Sequence, residues 1–316
     1  MVRSNGVAVR ITRVLVGVDF SDASAQAATW AARHLAPGAE LVLAHAVYVP
    51  EPPAFLQGLY PPTGAAAETA RAGAEQQVRD LGSAIATGLV WTEVRIGRPD
   101  EVLAQIATDY GVDLIVLGRP TERAGVWSRL GSTPERVLRR STIPVLLAAS
   151  VDGGAPRRVL AAVDDSELTP HVLAWTDHLL GQAGASATLV HVVAPPLPGV
   201  APGGTAQLSP TAVAVDEGHA AALRSAREWL ETRRATLTHA GRVATTALSG
   251  GTAAEILAES ARQDYDLLVL GAHGGGAVSR LVFGSVAEAV ARAASCSVLV
   301  VKPAEENARP ITPSAS

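Results

Sequence analysis

The 316-residue sequence contains one cysteine, Cys296, and one lysine, Lys302. A single cysteine excludes an intrachain disulfide, is typical of a reducing compartment, and most often serves as a small buried apolar residue. Aromatic residues make up only 4% of a chain that is 48% hydrophobic, so alanine and valine must supply much of the core. No apolar stretch approaches the ~20 residues that are needed to span a bilayer.

The charge pattern excludes a further class of protein. The formal net charge is −4 and the sequence pI is about 6.1, whereas a nucleic-acid-binding protein usually carries a basic face. The apolar run at residues 14–18 is too short for a secretory signal. We therefore expect a cytoplasmic protein that binds neither nucleic acid nor membrane.

An internal repeat of about 150 residues organises the whole sequence. The order of the repeated segments never changes, and their spacing differs only where loops would absorb the difference. The chain therefore consists of two related halves. The matched segments are 14–21 with 159–166, 41–47 with 188–193, 113–118 with 266–271, 131–132 with 284–285, and 143–147 with 297–301.

Each half alternates short apolar runs, which are typical of buried parallel strands, with amphipathic segments that are typical of helices. The first half predicts strands near 11–18, 40–48, 90–96, 113–118 and 143–148, and helices near 22–36, 66–87, 100–110 and 133–140. The second half predicts strands near 158–163, 187–193, 243–248, 266–271 and 297–302, and helices near 168–181, 212–240, 253–263 and 285–294. This alternation predicts α/β domains with helix-flanked parallel sheets.

The domain boundaries follow from the loops. We predict domains at residues 1–150 and 157–303, a linker at 150–156 and a disordered tail at 304–316, where Pro, Ser, Ala and Glu dominate. Two Pro/Gly-rich loops, 50–64 and 194–210, follow the second strand of each half. Loops of this length in compact domains are often functional.

A glycine-rich segment follows the fourth predicted strand of the second half. Gly271, Gly274 and Gly284-Ser285 have the spacing Gly-x2-Gly-x9-Gly-Ser, and an amphipathic helix begins after them. Glycines allow main-chain N–H groups to approach a ligand closely, and a helix start offers unpaired N–H donors. Open α/β sheets bind ligands at the carboxyl ends of their strands, so this segment predicts a polyphosphate site.

With these motifs, the chain resembles the universal stress protein family in its tandem two-domain form, over about residues 10–303. Nucleotide-binding members carry the same glycine pattern, an Asp at the end of the first strand (Asp19 and Asp164 here), and a last strand resembling residues 298–303. The resemblance implies a five-stranded sheet in the order 3-2-1-4-5, an adenine-nucleotide alpha-hydrolase-like fold. It also implies ATP, either alone or with Mg²⁺, as the ligand, and pairing of the two domains through their fifth strands. Whether two chains form a homodimer is left open by the sequence.

The family pattern assigns candidate nucleotide-binding residues to both halves. In the second half they are Val163, Asp164, Val192, Leu270, Gly271, His273, Gly274, Gly284, Ser285, Val286 and Ala287. In the first half the corresponding candidates are Val18, Asp19, Val47, Gly118, Gly131 and Ser132.

Several candidates have a plain structural alternative. Asp164 fits either a ribose hydroxyl or a helix cap, and Ser285 with Glu288 forms a capping-box pattern. His273 fits either a phosphate donor or a solvated loop histidine. His45 and His191 lie inside apolar runs and are predicted to be satisfied core residues.

The first half departs from the glycine pattern. Thr121 stands at the position of Gly274, and Pro120, which has no N–H, stands at that of His273. Arg119, Arg123 and Arg129 offer guanidinium groups that bind phosphate well, or they are solvated surface residues. We therefore expect the second half to bind ATP and the first half to bind it weakly or not at all.

The resemblance implies a non-catalytic, ATP-binding stress-response protein. The sequence leaves two alternatives open, which are a slow ATPase or nucleotidyl transferase on the same fold and a structural pairing module without nucleotide. The chain has no Gly-x4-Gly-Lys-Ser/Thr loop and no Cys/His cluster with the spacing of metal ligands.

Overall fold

The computed structural model describes residues 2–4, 7–50, 63–85, 88–119, 130–149, 154–195, 212–274 and 283–303. Nearly all of the two predicted Pro/Gly-rich loops, most of the linker and the whole tail therefore lie outside the described residues, as do Pro120, Thr121, Arg123 and Arg129.

The described residues form twelve strands and eight α-helices. The first half contains β1 Val2–Ser4, β2 Val7–Val9, β3 Arg13–Gly17, α1 Asp22–Trp30, β4 Glu40–Val47, α2 Thr63–Ile85, β5 Val90–Ile96, α3 Pro99–Asp109, β6 Leu114–Arg119, α4 Ser132–Arg140 and β7 Val145–Ala149. The second half contains β8 Arg158–Ala162, α5 Thr169–Ala183, β9 Ser186–Val193, α6 Ala212–Ala235, β10 Val243–Ser249, α7 Thr252–Arg262, β11 Leu267–Gly271, α8 Ser285–Ala293 and β12 Ser297–Val301.

Ten of these strands form one continuous sheet in the order β10-β9-β8-β11-β12-β7-β6-β3-β4-β5. Each half supplies five parallel strands in the predicted order 3-2-1-4-5, which confirms the α/β fold. The two halves meet where the fifth strands β7 and β12 pair antiparallel, with Leu299 opposite Leu146. The expected pairing through the fifth strands is thus found within one chain.

Both faces of the sheet are covered by helices, so the strands are apolar on both sides. Val14 and Val16 belong to the apolar layer on one face, and Leu15 belongs to the layer on the other, each with no exposed surface. Continuous apolar strands of this kind are what a parallel sheet between two helical layers requires.

Asp113 and Asp266 have the structural role that their place before the fourth strand predicts. One carboxylate oxygen of Asp113 accepts hydrogen bonds from the N–H groups of Thr12 and Arg13 at 2.6 and 3.0 Å. Asp266 accepts equivalent bonds from Arg157 and Arg158 at 2.8 and 2.9 Å. These bonds tie the starts of the fourth and first strands together, at the edge opposite the predicted ligand site.

Three local features differ from the sequence predictions. The helix predicted at 22–36 ends at Trp30 and continues as a π-helical turn, Ala31–Leu35. The helix predicted at 212–240 ends at Ala235, and a separate 3₁₀ turn spans Ala240–Arg242. The amino-terminal hairpin β1–β2 packs on α5 of the other half. These two helix ends and the contact of the hairpin depend on tertiary packing, which a local sequence pattern does not predict.

The single lysine lies in the contact between the two halves. Lys302 follows β12, is 7% exposed, and donates a hydrogen bond from Nζ to the Leu138 carbonyl of the first half at 2.7 Å. Its Nζ also lies 5.6 Å from the centre of the Phe283 ring. Burial lowers the pKa of this amine from 10.5 to about 8, because a buried ammonium loses its hydration.

The low pKa of Lys302 predicts a pH dependence of stability. Between pH 8 and 10.5 the unfolded chain retains the proton and the folded chain releases it, so the free energy of unfolding rises with pH. We expect Lys302 to favour the folded state by about 1–3 kcal/mol more at pH 10 than at pH 7.5. Urea unfolding of the wild type and of Lys302→Met at both pH values measures this difference.

The Lys302→Met control is needed because Cys296 titrates in the opposite sense. Cys296 is buried just before β12, and burial raises the pKa of its thiol to about 11, so its contribution to stability is lost at high pH. That contribution is common to both proteins and cancels in the comparison. An equal pH dependence in the two proteins would contradict the role given to Lys302.

Candidate functional site

A cavity of about 440 Å³ lies at the carboxyl edge of the second half, between β8, β9, β11 and the start of α8. Its volume falls within the ~300–1,000 Å³ that is usual for small-molecule sites. All eleven candidate residues of the second half line it. They are Val163, Asp164, Val192, Leu270, Gly271, His273, Gly274, Gly284, Ser285, Val286 and Ala287.

Asp164 presents one carboxylate oxygen to the cavity. Its Oδ1 accepts a hydrogen bond from the Ser166 N–H at 3.2 Å and lies 3.5 Å from the Thr169 hydroxyl. Its Oδ2 lies 2.7 Å from the point that a Cβ on Gly274 would occupy. The N-cap of α5 is Leu168, so the alternative that Asp164 caps this helix is wrong.

At each of the three motif glycines, the missing Cβ allows a different group of the protein to come close to the backbone. A Cβ on Gly274 would collide with the Asp164 carboxylate, and one on Gly271 would lie 3.1 Å from the Leu168 side chain. A Cβ on Gly284 would lie 3.2 Å from the Ala272 carbonyl and the His273 Cα. The Gly284 N–H donates to that same carbonyl at 2.8 Å. Gly284 therefore packs against the backbone of Ala272 and His273, directly after the end of β11.

His273 is a buried residue of the cavity wall, only 6% exposed. The alternative of a solvated loop histidine is therefore wrong. Its Nε2 is buried without a hydrogen-bond partner among the described residues. An unpaired buried nitrogen is costly, so this atom is an unmet polar group in the cavity wall.

The start of α8 leaves its backbone donors free of side-chain caps. Gly284 is the N-cap residue, and no side chain of the described residues bonds to the helix end. Glu288 pairs with Arg139 and Arg292, each at 2.8 Å. The capping box predicted for Ser285 and Glu288 is therefore wrong, and the first N–H groups of the helix remain available to an anion.

Two further polar features come from β9. The carbonyl of Val190 accepts from the Val163 N–H at 2.9 Å, where the pairing of β9 with β8 ends. Because a strand alternates with a period of two residues, the N–H and C=O of Val192 point to the same edge of β9 as those of Val190, toward β8. Val192 lies beyond the end of β8, so no residue of that strand pairs with these two groups. His191 lines the cavity and bonds through Nδ1 to the Val163 carbonyl at 2.8 Å.

Sequence reasoning missed other wall residues of this cavity. His191 has the predicted hydrogen-bond partner, but it is half-buried at the cavity and not in the core. The remaining missed residues lie at strand ends and in the first turns of α5 and α7, where only the three-dimensional packing reveals their exposure to the cavity. They are Ala162, Ser166, Leu168, Thr169, Val172, Val190, Thr252 and Ile256.

The equivalent cleft of the first half measures only about 110 Å³. Val18, Asp19 and Gly118 line it, whereas Val47, Gly131 and Ser132 do not. Val47 lines an adjoining surface pocket of about 550 Å³ that shares His45 and Ala46 with this cleft, and Gly131 and Ser132 line neither.

Two structural features explain why the first-half cleft is smaller and why Val47 does not line it. A Cβ on Gly118 would lie 2.5 Å from the backbone of Ala23, so α1 packs directly against the end of β6. The strand register pairs Glu40 with Arg13 and Ser186 with Arg158, which makes Ala46 and not Val47 the counterpart of Val192. Ala46 does line the small cleft.

The carboxylate of Asp19, in the first half, already accepts hydrogen bonds from a residue of the turn that follows it. Asp19 Oδ1 accepts from the N–H and the hydroxyl of Ser21 at 3.0 and 2.5 Å. Burial raises the pKa of Asp19, but hydrogen bonds from Ser21 and Ser24 outweigh it and lower the pKa below 3.8. Arg119 does not line the cleft, because it donates across to the Arg292 carbonyl of the second half at 3.4 Å.

The described residues lack two further kinds of site. Within the described ranges, no group of three or more His, Cys, Asp or Glu side chains is arranged to hold a metal ion. None of the helices in that part of the chain combines the length and apolar character that crossing a membrane requires.

The fold and the paired clefts define a class of tandem α/β proteins with two 3-2-1-4-5 sheets joined through their fifth strands. The model of the universal stress protein family matches residues 10–149 and again 156–302. The chain therefore belongs to the universal stress protein family, as a tandem member. No curated protein matches the chain.

Solved structures of similar length share this fold. A universal stress protein from Archaeoglobus fulgidus DSM 4304 is 19% identical with a TM-score of 0.61, covering 92% of this chain and 96% of that one. Protein PA1789 from Pseudomonas aeruginosa PAO1, described as functionally unknown, is 16% identical with a TM-score of 0.60, covering 93% of each chain. At these identities the likeness supports the fold alone.

Proposed function

We propose that the cavity of the second half binds ATP and that the chain acts as a non-catalytic, nucleotide-dependent protein of the stress response. The observation that carries the proposal is the convergence of polar groups from three elements on one cavity. The Asp164 carboxylate follows β8, the Val192 backbone lies on β9, and the His273 Nε2 follows β11.

Each part of an adenine nucleotide has a matching group. The N–H and C=O of Val192 offer one donor and one acceptor to the adenine edge, and Leu270 supplies apolar contact. Asp164 Oδ2 accepts from a ribose hydroxyl. The N–H groups at residues 285–287 lie where a polyphosphate would sit, at the positive end of the α8 dipole and beside His273.

The residues that line the cavity fit a protein that binds ATP better than one that hydrolyses it. Asp164 is the only carboxylate among the described lining residues, and this assignment places it at the ribose. ATP would then act by stabilising one arrangement of the site that a partner protein recognises, which requires tighter binding to that arrangement than to others. Multiple-turnover release of ADP or AMP by the purified chain would favour the enzymatic alternative.

The difference between the two clefts predicts one nucleotide per chain. Isothermal titration of the full chain with ATP is expected to give a stoichiometry of one, because the first cleft of about 110 Å³ is smaller than a ligand of this size requires. Two equivalent sites would contradict the asymmetry. Absence of binding in both titration and thermal-shift assays would favour a structural pairing module.

A further inference from the structure

Two equivalent helices, α4 and α8, meet where the halves join, and charged pairs connect them. Glu288 Oε2 of α8 lies 2.8 Å from Arg139 Nη2 of α4. In the mirrored contact, Glu135 Oε1 of α4 lies 2.8 Å from Arg292 Nη2 of α8. Glu288 also pairs with Arg292 on its own helix at 2.8 Å. Glu135 pairs with Arg139 on α4 at 3.4 Å, so the four side chains form a closed charged ring between the halves.

Arg139 contacts both sides of the turn that carries the proposed phosphate site. On one side it pairs with Glu288, which directly follows the N–H donors of residues 285–287. On the other side its guanidinium lies 5.9 Å from the centre of the Phe283 ring, directly before Gly284. A side chain of the first half thus holds both flanks of a binding turn in the second half.

The pair between Arg139 and Glu288 affects an anionic ligand because Glu288 itself carries a negative charge. Its carboxylate is 24% exposed and stands in the first turn of α8, close to where a polyphosphate would bind. An unpaired carboxylate there would repel phosphate, because like charges at short range oppose each other. Two guanidinium groups, one from each half, neutralise it.

We infer that Arg139 is a positioning residue for the nucleotide site of the opposite half, acting through Glu288 and Phe283 on the polyphosphate subsite. This inference rests on the proposed function. It gives the first half, whose own cleft is small, a part in ligand binding by the second. The adenosine portion of the ligand lies against β8 and β9 and does not depend on Arg139.

The test compares two neighbouring arginines of α4. Arg139 and Arg140 are 47% and 49% exposed, and Arg140 pairs only with Asp100 and Glu101 of its own half among the described residues. Both Arg139→Gln and Arg140→Gln remove one positive charge. We expect Arg139→Gln to weaken ATP binding by about three- to tenfold and Arg140→Gln by less than about twofold. Affinity for adenosine should stay within about twofold in both.

Titration calorimetry with ATP and adenosine separates the outcomes. Equal ATP affinities of the two variants would overturn the inference while leaving ATP binding intact. A parallel loss of adenosine affinity in Arg139→Gln would mean general damage to the fold, and would also overturn it. In a Glu288→Gln background, the effect of Arg139→Gln should shrink, because the carboxylate that it neutralises is gone. Failure of the wild type to bind ATP would refute the proposed function itself.

Discussion

Asp164→Asn is expected to weaken ATP binding by about 10- to 100-fold, the most damaging effect on affinity among single substitutions at this site. Asparagine keeps the size of the side chain, but it removes the charge that strengthens the bond from a ribose hydroxyl. Oδ1 is already engaged by Ser166, so the loss falls on the group that faces the cavity. Titration calorimetry of the purified variant measures the change.

The repeat supplies the control for this substitution. Asp19→Asn changes the same residue in the first half, where Ser21 already donates two hydrogen bonds to the carboxylate. We expect Asp19→Asn to lower stability and leave ATP affinity within about twofold. If both variants lost affinity equally, the assignment of the single site to the second half would be refuted.

Gly118→Ala is expected to give the largest loss of stability, about 3 kcal/mol or more in the free energy of unfolding. The added Cβ would lie 2.5 Å from the carbonyl carbon and oxygen of Ala23 and 2.6 Å from the Ser24 nitrogen. These are backbone atoms of α1, so relief requires moving the helix away from the sheet. Urea unfolding of the full chain measures the loss.

Gly271→Ala is the matched substitution in the second half. There the added Cβ meets the Leu168 side chain at 3.1 Å and the His273 carbonyl at 3.3 Å, contacts that small adjustments relieve. We expect a smaller loss of stability, about 1 kcal/mol, together with weaker ATP binding because the cavity wall shifts. A Gly118→Ala protein as stable as the wild type would show that α1 does not hold the first cleft closed.

The strand positions could be predicted from the sequence itself, whereas the strand order and most of the second-half cavity wall followed from the resemblance to the family. Apolar runs identify parallel strands, and carboxyl-terminal strand ends converge whatever the details of packing. This is why Asp164, Gly271 and Ser285, distant in sequence, line one cavity.

The errors have a common physical origin in close packing. Gly131 and Ser132 match Gly284 and Ser285 in sequence, but their cleft is small because α1 approaches β6. The family pattern predicts Val47 as a binding residue of the first half, whereas the strand register makes Ala46 the counterpart of Val192. The contacts of Arg119, Arg139 and Lys302 cross between the halves, and a local pattern carries no information about them.

The antiparallel pairing of β7 with β12 also sets the directions in which the two halves can be approached. The five strands that one half supplies to the shared sheet run opposite to the five of the other half, so the two clefts open at opposite ends of that sheet. A regulator that senses the occupied cleft would meet the second half alone. The first half carries its smaller cleft at the far end of the sheet, away from that encounter.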